Sequence, residues 1–233
     1  MSILNLLDGT GKKVVIFGIN STFGLQIETA LLDLGFEVWG TYFHTDEITE
    51  PHRIKCDFRD VLQIQEMMGG LPATFDAIVN CAVPPYEDND QNVHDLGPIY
   101  DGLTYAFEML WSRLTEWGKI VHIGGQTTET TDIKGAHDYT RTLIDLHKWG
   151  MEFNEQHARQ NHVSFVSYCL GMSETRELDT WSPEILALYH QKVPVFVLPE
   201  WLALSVVTSI AIPFPATKQV WNPNSYRALV VRP

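Results

Sequence analysis

With 233 residues, 45% hydrophobic and 19% charged content, the chain has the length of one large domain and enough apolar residues for a full core, which excludes a disordered or coiled-coil protein. A formal net charge of −13 with only 16 Lys and Arg argues against a phosphate-tracking surface, so no nucleic acid is expected as a partner. Three cysteines, Cys56, Cys81 and Cys169, lie in or beside apolar runs without CxxC spacing, and no stretch reaches the roughly 18 apolar residues of a membrane span. With no basic leader at the start, the expectation is a soluble, cytoplasmic protein with buried thiols, no membrane association and no metal.

Short β-branched runs alternate with longer amphipathic segments, the pattern of a parallel sheet with crossover helices. KKVVIFG (12–18) predicts the first strand, and 23–35 a helix in which Leu25, Thr29, Leu32 and Leu34 recur at helical spacing before Gly35 stops it. Strands are expected at 37–43, 53–57 and 76–83, with a helix at 61–68. The acidic segment 86–95 reads as a solvated loop. A long helix follows over 97–117, then a strand at 119–125, a second long helix from about 138 to 160 and a strand at 162–171. An irregular stretch, 172–199, precedes a helix near 199–211 and a short strand within 218–231. No repeat or linker divides this order, which predicts a single three-layer α/β domain, a Rossmann-like doubly wound parallel sheet.

FGINSTFG stands where the first strand meets the first helix, the place at which a parallel sheet opens a crevice beside a helix N-terminus. Gly18 and Gly24 are one residue further apart than in GxGxxG and match G-x-x-x-G-x-G, with Thr22 in place of the middle glycine. A pyrophosphate would meet the residues of this turn, Gly18, Asn20, Ser21, Thr22, Phe23 and Gly24, although the Cβ of Thr22 narrows the approach. A purely structural glycine turn is the competing reading. Asp57, followed by Phe58, is placed at the end of the third strand to reach an adenine edge, and Asn80, Cys81 and Ala82 bring small side chains to the end of the fourth. Tyr139 begins a helix after the fifth.

In this order and spacing the chain resembles the short-chain dehydrogenase/reductase family along nearly its whole length. The family's NNAG resembles Asn80-Cys81-Ala82-Val83, its Tyr-x-x-x-Lys resembles Tyr139 to Leu143, and its Pro-Gly-x-x-x-Thr resembles Leu170-Gly171-Met172-Ser173-Glu174-Thr175. None of the three is intact. The resemblance implies a nicotinamide cofactor, with Gly171 among its contacts. Members preferring NAD carry an acidic residue at the end of the second strand, where this chain has Thr41 and Tyr42, and no Arg stands there for a 2′-phosphate. NADP is therefore expected ahead of NAD, with no cofactor at all as the outcome if the fold has been repurposed.

The resemblance also implies that Tyr139 exchanges a proton with a carbonyl or alcohol oxygen while hydride moves to or from the nicotinamide. A free tyrosine, with a pKa of about 10, needs a neighbouring cation to act as a base near neutrality. The family's lysine, one turn on, is Leu143 here. Lys148 falls on roughly the opposite helix face, His147 shares the face more than two turns away, and Arg141 points sideways. The family's serine position lands on Gln126, beside Thr127, and either side chain can donate a hydrogen bond to a substrate oxygen. His137 approaches the same cleft from the preceding loop, whereas His122 is expected to hydrogen-bond in the core. The family's asparagine in the fourth helix aligns loosely with Asp101.

The stretch 172–199 occupies the place of the family's substrate lid, and its Trp181, Leu186, Leu188, Tyr189, Val195 and Phe196 predict an apolar or aromatic small-molecule substrate. The helix over 97–117 carries Tyr105, Phe107, Met109 and Trp111 around much of its circumference, so a homodimer or homotetramer through the two long helices is expected. Three functions remain open: an oxidoreductase, a non-redox isomerase, cyclase or lyase on the same fold, and a binding protein without turnover.

Overall fold

The computed structural model describes residues 7–43, 50–82, 97–125, 138–158, 161–170, 183, 187, 198–211 and 219–221. Apolar runs rich in Val, Ile and Phe, KVVIF (13–17) and FDAIVN (75–80), form central strands buried on both faces, as a parallel sheet between helical layers requires. The strands are β1 (Lys13–Phe17), β2 (Glu37–Tyr42), β3 (Arg53–Lys55), β4 (Phe75–Asn80), β5 (Leu114–Gly125), β6 (Ser164–Leu170) and β7 (Gln219–Trp221). They pair in parallel in the order β3-β2-β1-β4-β5-β6-β7. From β1 the chain runs outward to β3 and then crosses to β4 on the other side of β1. The connections leaving β1 and β4 therefore diverge, and a crevice opens at their carboxyl ends.

Helices α1 (Thr22–Asp33) and α5 (Pro199–Ala211) cover one face, where Ile27, Leu31, Leu202 and Val206 pack on Val14, Ile16, Val79 and Val121. The other face carries α2 (Val61–Gly70), α3 (Gly97–Leu110) and α4 (Asp138–Phe153), with Ile64, Leu103, Phe107 and Leu146 on Val15, Phe17, Ile78 and Ile120. Each such fully buried side chain contributes about 1.5–3 kcal/mol relative to leaving it exposed. The expected three-layer α/β architecture is what the described residues form.

One helix face and two boundaries are not contained in the sequence pattern. The stripe that α1 buries is Gly24, Ile27 and Leu31; Leu32 is 53% exposed, because the helix turns its Ile27 and Leu31 side toward α5 and the sheet. The long helix expected over 97–117 stops at Leu110. A 3-10 turn (Trp111–Arg113) follows it, and β5 already begins at Leu114, bulging opposite Asp76, whose carboxylate accepts the Thr115 hydroxyl at 2.9 Å. The second long helix ends at Phe153 in a π-turn (Asn154–Ala158), where the Asn154 amide bonds both the N–H and the C=O of Phe165 and so ties the helix end to β6.

Candidate cofactor crevice and active site

Gly18 has φ +72°, and a β-carbon there would fall 2.8 Å from Ala82 Cα and from the Cys81 carbonyl oxygen. Only glycine allows both the left-handed turn and this approach to the end of β4. The turn is fixed from β2: Gly18 N–H donates to Thr41 Oγ1 at 3.2 Å and Ile19 N–H to the Thr41 carbonyl at 2.9 Å. Ser21 caps α1, its hydroxyl accepting from Gly24 N–H at 3.0 Å. A β-carbon at Gly24 would lie 2.5 Å from the Gly18 carbonyl oxygen, so the second glycine seats the helix on the turn. Asn20, Ser21, Thr22 and Phe23 are half-buried at the mouth of this turn, beside the partial positive charge of the α1 N-terminus.

At the neighbouring strand ends, Thr41 and Tyr42 are buried, and the Thr41 hydroxyl serves the glycine turn. Phe58 packs into the core with its ring 4.8 Å from that of Phe17, and its carbonyl lies so close to α3 that a β-carbon at Gly102 would fall 1.6 Å from it. Asp57 remains partly accessible and pairs with Arg59, whose guanidinium lies over the ring of Phe43 at 5.0 Å. No arginine stands among Thr41, Tyr42 and Phe43; the fold brings Arg59 beside Phe43 from the turn after β3. The pairing of β2 with β3 places the Asp57-Phe58-Arg59 turn there, an adjacency that the linear pattern does not contain.

Asn80 ends β4. Its Oδ1 accepts from Ala82 N–H at 3.1 Å, which leaves Nδ2 to face His122 Nδ1 at 3.1 Å. His122 is buried as expected, and with Nδ1 accepting, the neutral ring carries its proton on Nε2, which has no hydrogen-bond partner among the described residues. Burial, and secondarily nearby His147, push this imidazole down to about 3. Ser167 follows His122 in register on β6, so Asn80, His122 and Ser167 form a fully buried polar row across β4, β5 and β6. Cys81 is buried against the glycine turn, and burial raises its thiol to about 12, leaving it inert at neutral pH.

Tyr139 lies in the first turn of α4, four residues before Leu143, which is 1% exposed. Thr142 and Ile144 are buried as well, so this turn of the helix is enclosed in packing. Lys148 is exposed and pairs with Asp145 at 3.6 Å, and Asp101 is exposed on α3. The side chain of Tyr139, together with Gln126, Thr127, His137, Gly171 and nearly all of the stretch 172–199, lies outside the described residues. Also among the described residues, no group of three His, Cys, Asp or Glu is arranged to hold a metal ion, and no helix is long and apolar enough to cross a membrane.

Several solved structures share this architecture. A dehydrogenase/reductase from Sinorhizobium meliloti superposes with a TM-score of 0.74 at 17% identity over 94% of this chain and 96% of its own. A short chain dehydrogenase from Burkholderia cenocepacia in complex with NADP gives 0.75 at 15% identity over 92% and 98%, and a Serratia marcescens short-chain dehydrogenase/reductase gives 0.72 at 17% identity over 92% and 97%. The chain has the short-chain dehydrogenase/reductase fold. No protein-family model matches the sequence, and no curated protein matches it.

Gly18, Ser21, Gly24, Thr41, Cys81 and Ala82 converge in one preformed turn, and Asp57 with Arg59 stands at the adjoining strand ends, which suits a pyrophosphate and an adenosine. Leu143 on α4 is buried and offers neither a charge nor a hydrogen bond.

Proposed function

We propose that the protein is an NADP(H)-dependent oxidoreductase acting on a carbonyl, alcohol or activated double bond of an apolar or aromatic small molecule, with Tyr139 as the proton-exchanging residue. The observation that carries this reading is the crevice at the β1/β4 switch point, with its left-handed Gly18 closed against Ala82 and Ser21 capping the helix that opens there. The NADP complex of the similar Burkholderia cenocepacia dehydrogenase supports the choice of cofactor. The turn from Gly18 to Gly24 would hold the pyrophosphate, Asp57 the adenine, and Asn80 through Ala82 the ribose nearest β4. When bound, the dinucleotide supplies or accepts hydride.

The chain's own part is to orient the substrate and move one proton. A tyrosine without a neighbouring cation stays protonated near neutrality, so it gives a proton more readily than it takes one. The reaction read for this chain is accordingly reduction, with the phenol of Tyr139 donating to the substrate oxygen and Gln126, Thr127 or His137 hydrogen-bonding that oxygen. The lid read for 172–199 would exclude water. Exposed Met109 on α3 and Met151 on α4 support association of two or four copies through these helices.

The burial of Leu143 favours a second reading, an isomerase, cyclase or lyase, or a binding protein, that has kept the crevice without hydride transfer. A screen of NADPH consumption against apolar aldehydes, ketones and enones separates the two. The first reading expects turnover that drops on the order of 10²-fold to 10⁴-fold in Tyr139→Phe. NADPH bound but unconsumed across the screen, or substrate converted without any cofactor, would support the second.

A further inference from the structure

We infer that Arg59 is the residue that selects a 2′-phosphorylated adenine dinucleotide over its unphosphorylated counterpart. The inference rests on the reading above, that the β1/β4 crevice takes a nicotinamide dinucleotide, and it assigns a selecting group that Thr41, Tyr42 and Phe43 at the end of β2 do not supply. Discrimination at the adenosine ribose needs either a carboxylate for two hydroxyls or a cation for a phosphate. Thr41, Tyr42 and Phe43 provide neither.

The sheet provides the cation from another direction. β2 and β3 run in parallel with Tyr42 opposite Lys55, and Cys56 N–H extends the ladder to the Tyr42 carbonyl at 2.9 Å. The next turn, Asp57-Phe58-Arg59, therefore emerges alongside Phe43. Asp57 Oδ1 accepts from the Arg59 backbone N–H at 2.9 Å, which closes the turn. The same carboxylate takes Arg59 Nε at 2.9 and 3.1 Å and Nη2 at 2.8 Å. With its Cζ 5.0 Å from the Phe43 ring centroid, the guanidinium is held between a carboxylate and an aromatic face.

Two consequences make this arrangement a reader of phosphate. The fork is fixed before any ligand arrives, so binding does not have to order a long side chain. The side chain is also 46% exposed, and Nη1 has no hydrogen-bond partner among the described residues, so donors remain for an incoming anion. Phe58, buried against Phe17, anchors the turn between the two polar residues.

The test is titration of NADPH and of NADH into wild type, Arg59→Gln and Arg59→Lys, with circular dichroism confirming that all three are folded. Wild type should bind NADPH at least on the order of 10-fold more tightly than NADH, as a charged hydrogen bond implies. Arg59→Gln should lose on the order of 10-fold to 100-fold for NADPH with little change for NADH, and Arg59→Lys should recover part of the preference. An unchanged NADPH-to-NADH ratio in Arg59→Gln, equal losses for both, or a wild-type preference for NADH would overturn the assignment while leaving the crevice reading standing. Binding of neither dinucleotide to folded wild type would remove the crevice reading, and this inference with it.

Discussion

The β1–α1 turn and the Thr142–Ile144 turn of α4 are built by different means. At the former, backbone and short polar side chains tie one element to the next: Gly18 to Thr41, Ser21 to Gly24, Ala82 to Asn80. At the latter, Thr142, Leu143 and Ile144 are enclosed in packing, and His122, on the same face of the sheet as α4, keeps a buried ring N–H without a partner among the described residues. On the proposed reading the contrast shows how differently two functions depend on sequence. The cradle read for the β1–α1 turn rests on backbone geometry, spread over several close approaches. The proton-transfer site read for α4 would depend on one cation, which Leu143 does not supply.

The largest effect that would sharpen this contrast is expected from Leu143→Ala, which should destabilise the protein by about 2–5 kcal/mol in urea unfolding, as a core truncation does, while leaving NADPH affinity intact. A change in affinity without a change in stability would place Leu143 in the crevice instead of the packing. Gly18→Ala forces a β-carbon into a left-handed turn and against Ala82; a cost of roughly 1–3 kcal/mol is expected, together with loss of dinucleotide binding.

His122→Ala should cost about 1–3 kcal/mol by leaving the Asn80 amide unpaired, and His122→Asn should cost less. The pH dependence gives a second readout. The folded imidazole, pushed down to about 3 against an ordinary 6.5, binds fewer protons than the unfolded chain between those values. Stability should therefore be complete above about pH 6.5 and fall progressively as pH drops toward 3. His122→Asn should flatten that slope, and denaturation midpoints measured from pH 7 to pH 4 would reveal it. The smallest effect is expected from Ser21→Ala, about 1 kcal/mol from the lost helix cap, with NADPH affinity weakened more than thermal stability.

The sequence made the strands, the parallel α/β architecture and the glycine turn legible because each rests on local signals: apolar runs of strand length alternating with amphipathic segments, and a glycine pair whose spacing demands a turn. His122 as a core hydrogen-bonder was legible too, since a lone histidine in an apolar strand must find a partner, and it finds Asn80 in the neighbouring strand. The end of α3 was not, because Trp111-Ser-Arg-Leu carries no proline or glycine to mark the stop at Leu110, and the strand that follows is set by pairing with β4. The buried face of α1 was not legible, because Leu25, Thr29 and Leu32 repeat as regularly as Ile27 and Leu31, and only packing against α5 and the sheet chooses between them. Thr41 stands at the expected strand end but turns inward to hold Gly18, and Arg59 reaches Phe43 from a different strand. Both are facts of strand adjacency that a linear pattern does not contain.

The central claim, that this chain keeps a working dinucleotide cradle beside an altered catalytic helix, is tested most directly by following nicotinamide fluorescence while NADPH is titrated into folded wild type and Gly18→Ala in parallel. Saturable binding to wild type that disappears in the variant is the predicted result. Absence of binding to wild type up to millimolar NADPH, or equal binding by both proteins, would contradict it.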